Sequence, residues 1–250
     1  MPQISASKYL VTATWDDAPH LDEVTKAEMM AAYPPHMRDA RTKGVPSLGA
    51  GAIYPVPIES VEREPQPIPD WWPRAYALDV GWNCTAALWG AWDPTNGALF
   101  LYSEYKAGEV EPSVHAAAIR ARGEWIPGLI DSAARGRNQS DGEQLTALYR
   151  DLGLRLTETR KGPGSVEAGL YACWQKLSEK RLLHSNLLRA TRAEYRVYRR
   201  DEKGRVVKED DHLMDCMRYL ETEGRNIAIV RPVKGGQPTQ TTVGDRRAGY

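Results

Sequence analysis

The chain has few cysteines, no long apolar runs and no net charge, and each shortage excludes something. Its three cysteines, Cys84, Cys173 and Cys216, are far apart, odd in number and in no C-x-x-C pair. A disulfide framework and a zinc site both need closer or paired thiols, so neither is expected, and the pattern fits a reducing cytosol. No apolar run approaches the roughly 20 residues of a membrane helix. Nor does a basic n-region followed by an apolar h-region open the chain, so nothing marks it for secretion. Lysine plus arginine and aspartate plus glutamate both total 33, which counts against a polyanionic partner on net charge alone. The balance is uneven, however. Between Arg181 and Lys208 the cations Arg189, Arg192, Arg196, Arg199, Arg200, Lys203 and Arg205 are opposed only by Glu194, Asp201 and Glu202. This stretch is either a local basic face or a solvated helix and hairpin surface.

What is present describes an ordinary soluble globular protein: 250 residues, 42% hydrophobic and 26% charged. That length holds one large domain, or one domain and an appendage. Residues 1–73 read as the appendage. A weakly alternating strand over 8–15 ends at Asp16-Asp17-Ala18-Pro19, and a helix over 22–33 starts with Asp22 and Glu23, where the helix dipole favours acids. Pro34-Pro35 stops it, and a second short helix can run to Lys43. From Gly44 to Pro73 prolines and glycines dominate, so this part is expected to be an extended linker.

Sharper signals follow. Tyr76-Ala77-Leu78-Asp79-Val80-Gly81 is a short apolar strand carrying one aspartate and stopped by glycine. Residues 85–92 and 98–105 flank Asp93-Pro94-Thr95-Asn96-Gly97 and make a hairpin. A helix over 113–124, a strand over 128–131 ending in Asp131, a helix over 141–151 and a strand over 154–157 come next. Helices over 165–180 and 187–195, a hairpin over 196–208 and a last helix over 211–220 complete the order, and the tail beyond Val233 is expected to be disordered. Three antiparallel strands followed by strands alternating with helices specify an α/β fold. Its sheet is mixed, with helices on both faces. A right-handed crossover places the fourth strand beside the first.

In that order Asp79 and Asp131 become neighbours at one end of the sheet. Two carboxylates so close repel, and one is protonated unless a cation bridges them. The last helix adds Asp211 and Asp215, four apart, with His212 three before Asp215, each pair on one helical face. Hard oxygen ligands without cysteine suit Mg²⁺ or Mn²⁺. Two such ions can activate a water and stabilise the leaving oxygen at a phosphodiester. Taken singly, each residue has a plainer role: a strand-end aspartate as a turn residue, Asp211 as a helix cap, His212 as a surface histidine. The conjunction is what points to a metal site.

Ala77-Leu78-Asp79-Val80-Gly81, Leu129-Ile130-Asp131-Ser132-Ala133-Ala134 and Asp211-His212-Leu213-Met214-Asp215-Cys216-Met217-Arg218-Tyr219 together resemble the nuclease domain of tailed-phage terminase large subunits. Lys161-Gly162-Pro163-Gly164-Ser165 resembles that family's lysine-to-serine loop. Thr14-Trp15-Asp16-Asp17-Ala18-Pro19 and Gly51-Ala52-Ile53-Tyr54-Pro55 resemble the end of its packaging ATPase domain. The resemblance implies a ribonuclease H-like fold over 74–232, an ATPase-domain remnant plus linker over 1–73, and a flexible tail over 233–250. It implies Asp79, Asp131 and Asp215 as ligands of two Mg²⁺ or Mn²⁺ ions, with Asp211 and His212 binding the second ion or orienting water. Lys161, Arg196, Arg199 and Arg200 become candidates for contacts to DNA phosphates. No Gly-x-x-x-x-Gly-Lys-Ser/Thr loop occurs, so ATP hydrolysis is not expected. The implied activity is cutting of concatemeric double-stranded DNA during genome packaging in the host cytoplasm. The partners would be the ATPase domain, the small terminase subunit and the portal, with no membrane. Two other readings stand beside it: a non-catalytic module that holds DNA or docks in the motor, and a resolvase-like nuclease for branched DNA.

Overall fold

The computed structural model describes residues 3–5, 8–9, 14–32, 42, 51–131, 139–160 and 162–232. Before residue 51 these form a small antiparallel pair, β1 (Gln3–Ser5) and β2 (Lys8–Tyr9), and helix α1 (Glu23–Ala32). Asp22 caps α1 by accepting from the Thr25 N–H at 2.7 Å. Of the strand expected over 8–15, Lys8–Tyr9 is seen, and Trp15–Asp17 is instead a 3-10 turn tied by Asp17 to Thr14. The helix expected to reach Lys43, the first part of the linker and the tail beyond Val233 lie outside the described residues, Thr42 excepted.

Residues 51–63 are not a free linker. They carry helix α2 (Ile58–Val61) and strand β3 (Glu62–Arg63), and Tyr54, Ile58 and Val61 are buried. The cause is an apolar stripe at spacings of four and three, which the proline density disguises. Pro57 stands at the N-cap of α2 and so starts a helix where it was expected to keep the chain extended. Tyr54 packs against Tyr195 and Tyr198, and the Tyr195 hydroxyl donates to the Val56 carbonyl at 2.9 Å.

The main sheet then builds outward from β4 (Arg74–Asp79), β5 (Thr85–Trp92) and β6 (Leu99–Ala107), an antiparallel meander. Helix α3 (Pro112–Arg120) leads to β7 (Gly128–Ile130), helix α4 (Gln139–Asp151) to β8 (Leu156–Glu158), and helix α5 (Ser165–Ser178) to β9 (Leu182–Ser185). The seven strands lie in the order β3-β9-β6-β5-β4-β7-β8, with β7 parallel to β4 and β9 parallel to β6. The expected neighbour relation of the first and fourth main strands is therefore present. Strand β9 is an addition, since four residues between two helices carry too little periodicity to announce a strand.

Helices α6 (Arg189–Val197) and α7 (His212–Tyr219) follow, and α7 runs through a π-turn (Leu220–Gly224) into α8 (Arg225–Ile227). The hairpin expected over 196–208 is reduced to a single bridge, Arg200 to Val206, because α6 extends to Val197 and takes Arg196 with it.

Both faces of β4 are covered. Ala75 and Ala77 join one cluster with Leu170 and Cys173 of α5 and Leu213, Cys216 and Met217 of α7. Tyr76 and Leu78 join another with Ala116 and Ile119 of α3 and Tyr149 of α4. Period-two alternation in a strand apolar throughout is what a doubly covered sheet requires. Gly128 opposes Tyr76 in the β4–β7 register, and a Cβ there would collide with the Tyr76 ring. Gly128→Ala is expected to lower stability by about 1–3 kcal/mol through overpacking, read as a lower urea midpoint at unchanged slope.

Candidate metal centre

The parallel register of β4 and β7 pairs Ala77 with Leu129 and Leu78 with Ile130. Asp79 and Asp131 are the next residues on the two chains and therefore end side by side at the carboxyl edge of the sheet. Helix α7 packs on β4 and β5 and brings the remaining residues of the motif. His212 Nδ1 stands 2.7 Å from Asp79 Oδ2, and the Tyr219 hydroxyl donates to Asp131 Oδ2 at 2.9 Å. Arg218 donates to Asp215 Oδ1 at 2.8 Å, and Lys208 to Asp215 Oδ2 at 2.9 Å. Lys208 also reaches Asp211 Oδ2 at 2.8 Å.

Charge balance governs the protonation of this cluster. The hydrogen bond to Asp79, joined by one to Cys84, outweighs burial and raises the His212 pKa to about 10, so the imidazole is a cation facing a carboxylate at neutral pH. Burial works against the charge on Lys208, yet Asp215 and Asp211 hold its pKa above the ordinary lysine value. Burial pushes the Tyr219 phenol well up. It therefore stays protonated and donates to Asp131.

Asp211 occupies the N-cap position of α7, but its side chain makes no capping hydrogen bond. The orphan N–H groups of Leu213 and Met214 go instead to Glu194 Oε2 of α6, at 2.6 and 3.4 Å. Glu194 is buried and its other oxygen accepts from Lys106 of β6 at 2.8 Å. A cap supplied from another helix leaves the Asp211 carboxylate to face Lys208.

Asp131, Asp215, Lys208, Arg218 and Tyr219 line one cleft of about 610 Å³, which Thr159 and Arg160 extend. Asp79, His212 and Asp211 stand beside the cleft through these contacts. The proposed phosphate contacts are placed differently. Lys161 lies outside the described residues. Arg196, Arg199 and Arg200 are absent from the cleft lining and pair with Glu59, Glu209 and Glu167 respectively. Lys208, Arg218, Tyr219 and Glu194 were not singled out as site residues from the sequence. Arg218 and Tyr219 had a signal in their spacing of three and four from Asp215, but Glu194 had none, because its role depends on the packing of α6 against α7.

Among the described residues no group of three His, Cys, Asp or Glu side chains stands close enough together to hold a metal ion. Asp79, Asp211 and Asp215 are paired with protein cations, and Asp131 accepts from Tyr219. Their chemistry still fits a hard divalent cation, since all four offer carboxylate oxygens. Positive charge at the site comes from His212, Lys208 and Arg218.

No family model matches the chain. It is 31% identical over 237 residues to the terminase large subunit of Salmonella phage P22, a match covering 92% of this chain and 47% of that protein. It is likewise 31% identical over 222 residues to the terminase large subunit of Enterobacteria phage LP7, covering 86% and 46%. The chain thus spans about half the length of the curated relatives it matches. Among solved structures, the P22 large terminase nuclease domain superposes with a TM-score of 0.68 at 27% identity, covering 74% of this chain and 97% of that one.

Two outcomes are expected from this geometry. Glu194→Ala leaves two helix N–H groups and Lys106 without their acceptor, and is expected to cost about 1–3 kcal/mol. Glu194→Gln, which keeps an acceptor, is expected to cost less in the same urea titration. The His212 pKa is raised above its unfolded value of 6.5, so its contribution to stability is complete below pH 6.5 and is lost as pH rises toward about 10. In EDTA the melting temperature is expected to fall across that window, and His212→Asn is expected to flatten the fall.

Proposed function

Over most of its length the chain is homologous to terminase large subunits and it carries the ribonuclease H-like fold of their nuclease domain, and from that premise we propose that it is a divalent-metal-dependent endonuclease. Its substrate would be concatemeric double-stranded DNA during phage genome packaging. One observation carries this reading: Asp79 and Asp131 end adjacent parallel strands in register, and α7 presents Asp215 into the cleft that Asp131 lines.

Asp79, Asp131 and Asp215 would hold the ions, with Asp211 and His212 as accessory groups. Two Mg²⁺ or Mn²⁺ ions, when bound, supply an activated water and charge stabilisation at the leaving oxygen of a phosphodiester. The chain's own residues do the rest. Tyr219 and Arg218 fix the orientation of the Asp131 and Asp215 carboxylates. Arg160 and Lys208 at the cleft place positive charge where a duplex backbone would lie, a contact that is independent of sequence and weakened by salt. Arg196, Arg199 and Arg200 would extend that contact only after exchanging their acidic partners for phosphates.

In the same proposal residues 1–73 are the remnant of an ATPase domain plus a linker, whose strand β3 (Glu62–Arg63) pairs into the main sheet, 74–232 are the nuclease domain and 233–250 its tail. The motor's own ATPase domain, small subunit and portal would be its partners in the host cytoplasm. The chain itself hydrolyses no ATP on this reading.

Plasmid DNA incubated with Mn²⁺, Mg²⁺ or EDTA tests the proposal. Cleavage is expected with metal, none with EDTA, and Asp131→Ala is expected to slow it by about 100-fold or more while circular dichroism stays native. Because the ligands must be ionised, cleavage is expected to fall at low pH. Cleavage that ignores both EDTA and Asp131→Ala would sink the assignment. A folded protein that binds duplex and never cuts would favour the holding module, and preferential cutting of four-way junctions the resolvase-like reading.

A further inference from the structure

Lys208 bridges two carboxylates of the site, with its Nζ 2.8 Å from Asp211 Oδ2 and 2.9 Å from Asp215 Oδ2. The two acids lie one helical turn apart and are buried, with side-chain exposures of 1% and 13%, whereas the Lys208 side chain is 54% exposed. The acids are fixed in the floor, and the cation reaches them from the solvent side.

Asp215 has a second cation, and the two differ in how they are held. Arg218 sits on Oδ1 from within α7, with its side chain 9% exposed. A Cβ on Gly169 of α5 would come within 2.8 Å of Arg218 Cγ, so the guanidinium stem packs closely against α5. Lys208 comes from the irregular segment after the Arg200–Val206 bridge, and its side chain is 54% exposed. Of the two cations on Asp215, Lys208 is the one open to solvent.

Resting on the reading of these aspartates as ligands, we propose that Lys208 is a resident counter-ion which occupies the divalent-cation position at Asp211 and Asp215 and is expelled when the ion binds. An ammonium and a divalent cation cannot share the same two oxygens. Ion binding must therefore break both Lys208 contacts, and Lys208 lowers the affinity of the site. It keeps the metal-free fold neutral at that point and makes occupancy depend on the divalent-ion concentration.

Calorimetric titration of the full chain with Mn²⁺ alone tests this, with Lys208→Met, Lys208→Arg and Asp215→Asn beside the wild type. Lys208→Met is expected to bind Mn²⁺ about tenfold or more tighter, while Lys208→Arg, which keeps the charge, stays within about threefold of wild type. Asp215→Asn is expected to weaken binding in either background. A second measurement needs no variant: Mn²⁺ should raise the rate at which an amine-reactive reagent labels Lys208 in the wild type, followed by mass spectrometry. Equal or weaker binding by a folded Lys208→Met, or labelling unchanged by Mn²⁺ where Asp215→Asn does abolish binding, overturns the role of Lys208 and leaves the nuclease reading standing. Binding that ignores Asp215→Asn, or no binding by any form, overturns both.

Discussion

Two aspartates ending adjacent parallel strands form a constraint that the rest of this structure answers. Asp79 and Asp131 follow paired residues of β4 and β7, and two acids placed at neighbouring strand ends call for partners. Helix α7 meets the demand with side chains two turns apart: His212 toward Asp79 and Tyr219 toward Asp131. Its own acid, Asp215, brings a third negative charge, which Arg218 and Lys208 balance. The position of α7 is therefore tied to the charge at the strand ends as much as to its apolar face.

That position is itself fixed by a relay of carboxylates. Glu104 of β6 accepts from the Ala190 and Thr191 N–H groups at 2.9 and 2.8 Å and so caps the start of α6. Helix α6 carries Glu194, which caps the start of α7. Lys106, two residues along β6 from Glu104, pairs with Glu194. A strand thus sets one helix, that helix sets the next, and the last presents the acids. Each N-terminus gains the negative charge its dipole favours, from an acid whose own position is fixed by the sheet or by a packed helix.

The parts of this arrangement that could be read from sequence are those written in local pattern. Leu78-Asp79 and Ile130-Asp131 announce strands with acids at their ends, and the crossover rule makes them neighbours. Asp211, His212 and Asp215 show their common helical face by spacing alone. Other features were concealed for distinct physical reasons. Leu182–Ser185 becomes β9 because β6 offers it an edge to pair with, a tertiary fact. Tyr54, Ile58 and Val61 form a buried stripe inside a segment whose prolines suggest an extended chain. Asp211 sits where a cap belongs, and nothing near it in sequence says that Glu194, seventeen positions earlier by their numbering, takes its place.

Buried charge is distributed unevenly between the two faces of the sheet. A buried ion pair is weak evidence of stability, because desolvating two charges offsets most of their attraction and apolar replacements of similar volume often do as well. Among the described residues, the pairs with at least one well-buried member that touch α7 or its π-turn include Lys106–Glu194, His212–Asp79, Arg218–Asp215, Lys208–Asp211, Lys208–Asp215 and Lys176–Glu221. The opposite face of the sheet is closed by Tyr76, Trp89, Ile119, Ile130 and Tyr149, and Arg150–Glu158 near it is exposed on both sides. Both faces bury enough apolar surface to fold, so folding alone does not require this asymmetry. Ionic groups are concentrated where the two strand-end aspartates need partners whose direction is defined. Direction is what a charged hydrogen bond supplies and an apolar contact does not. The polar face around α7 thus sets the directions of the Asp79, Asp131 and Asp215 carboxylates, and the apolar face behind β4 closes the other side of the strands that carry the first two.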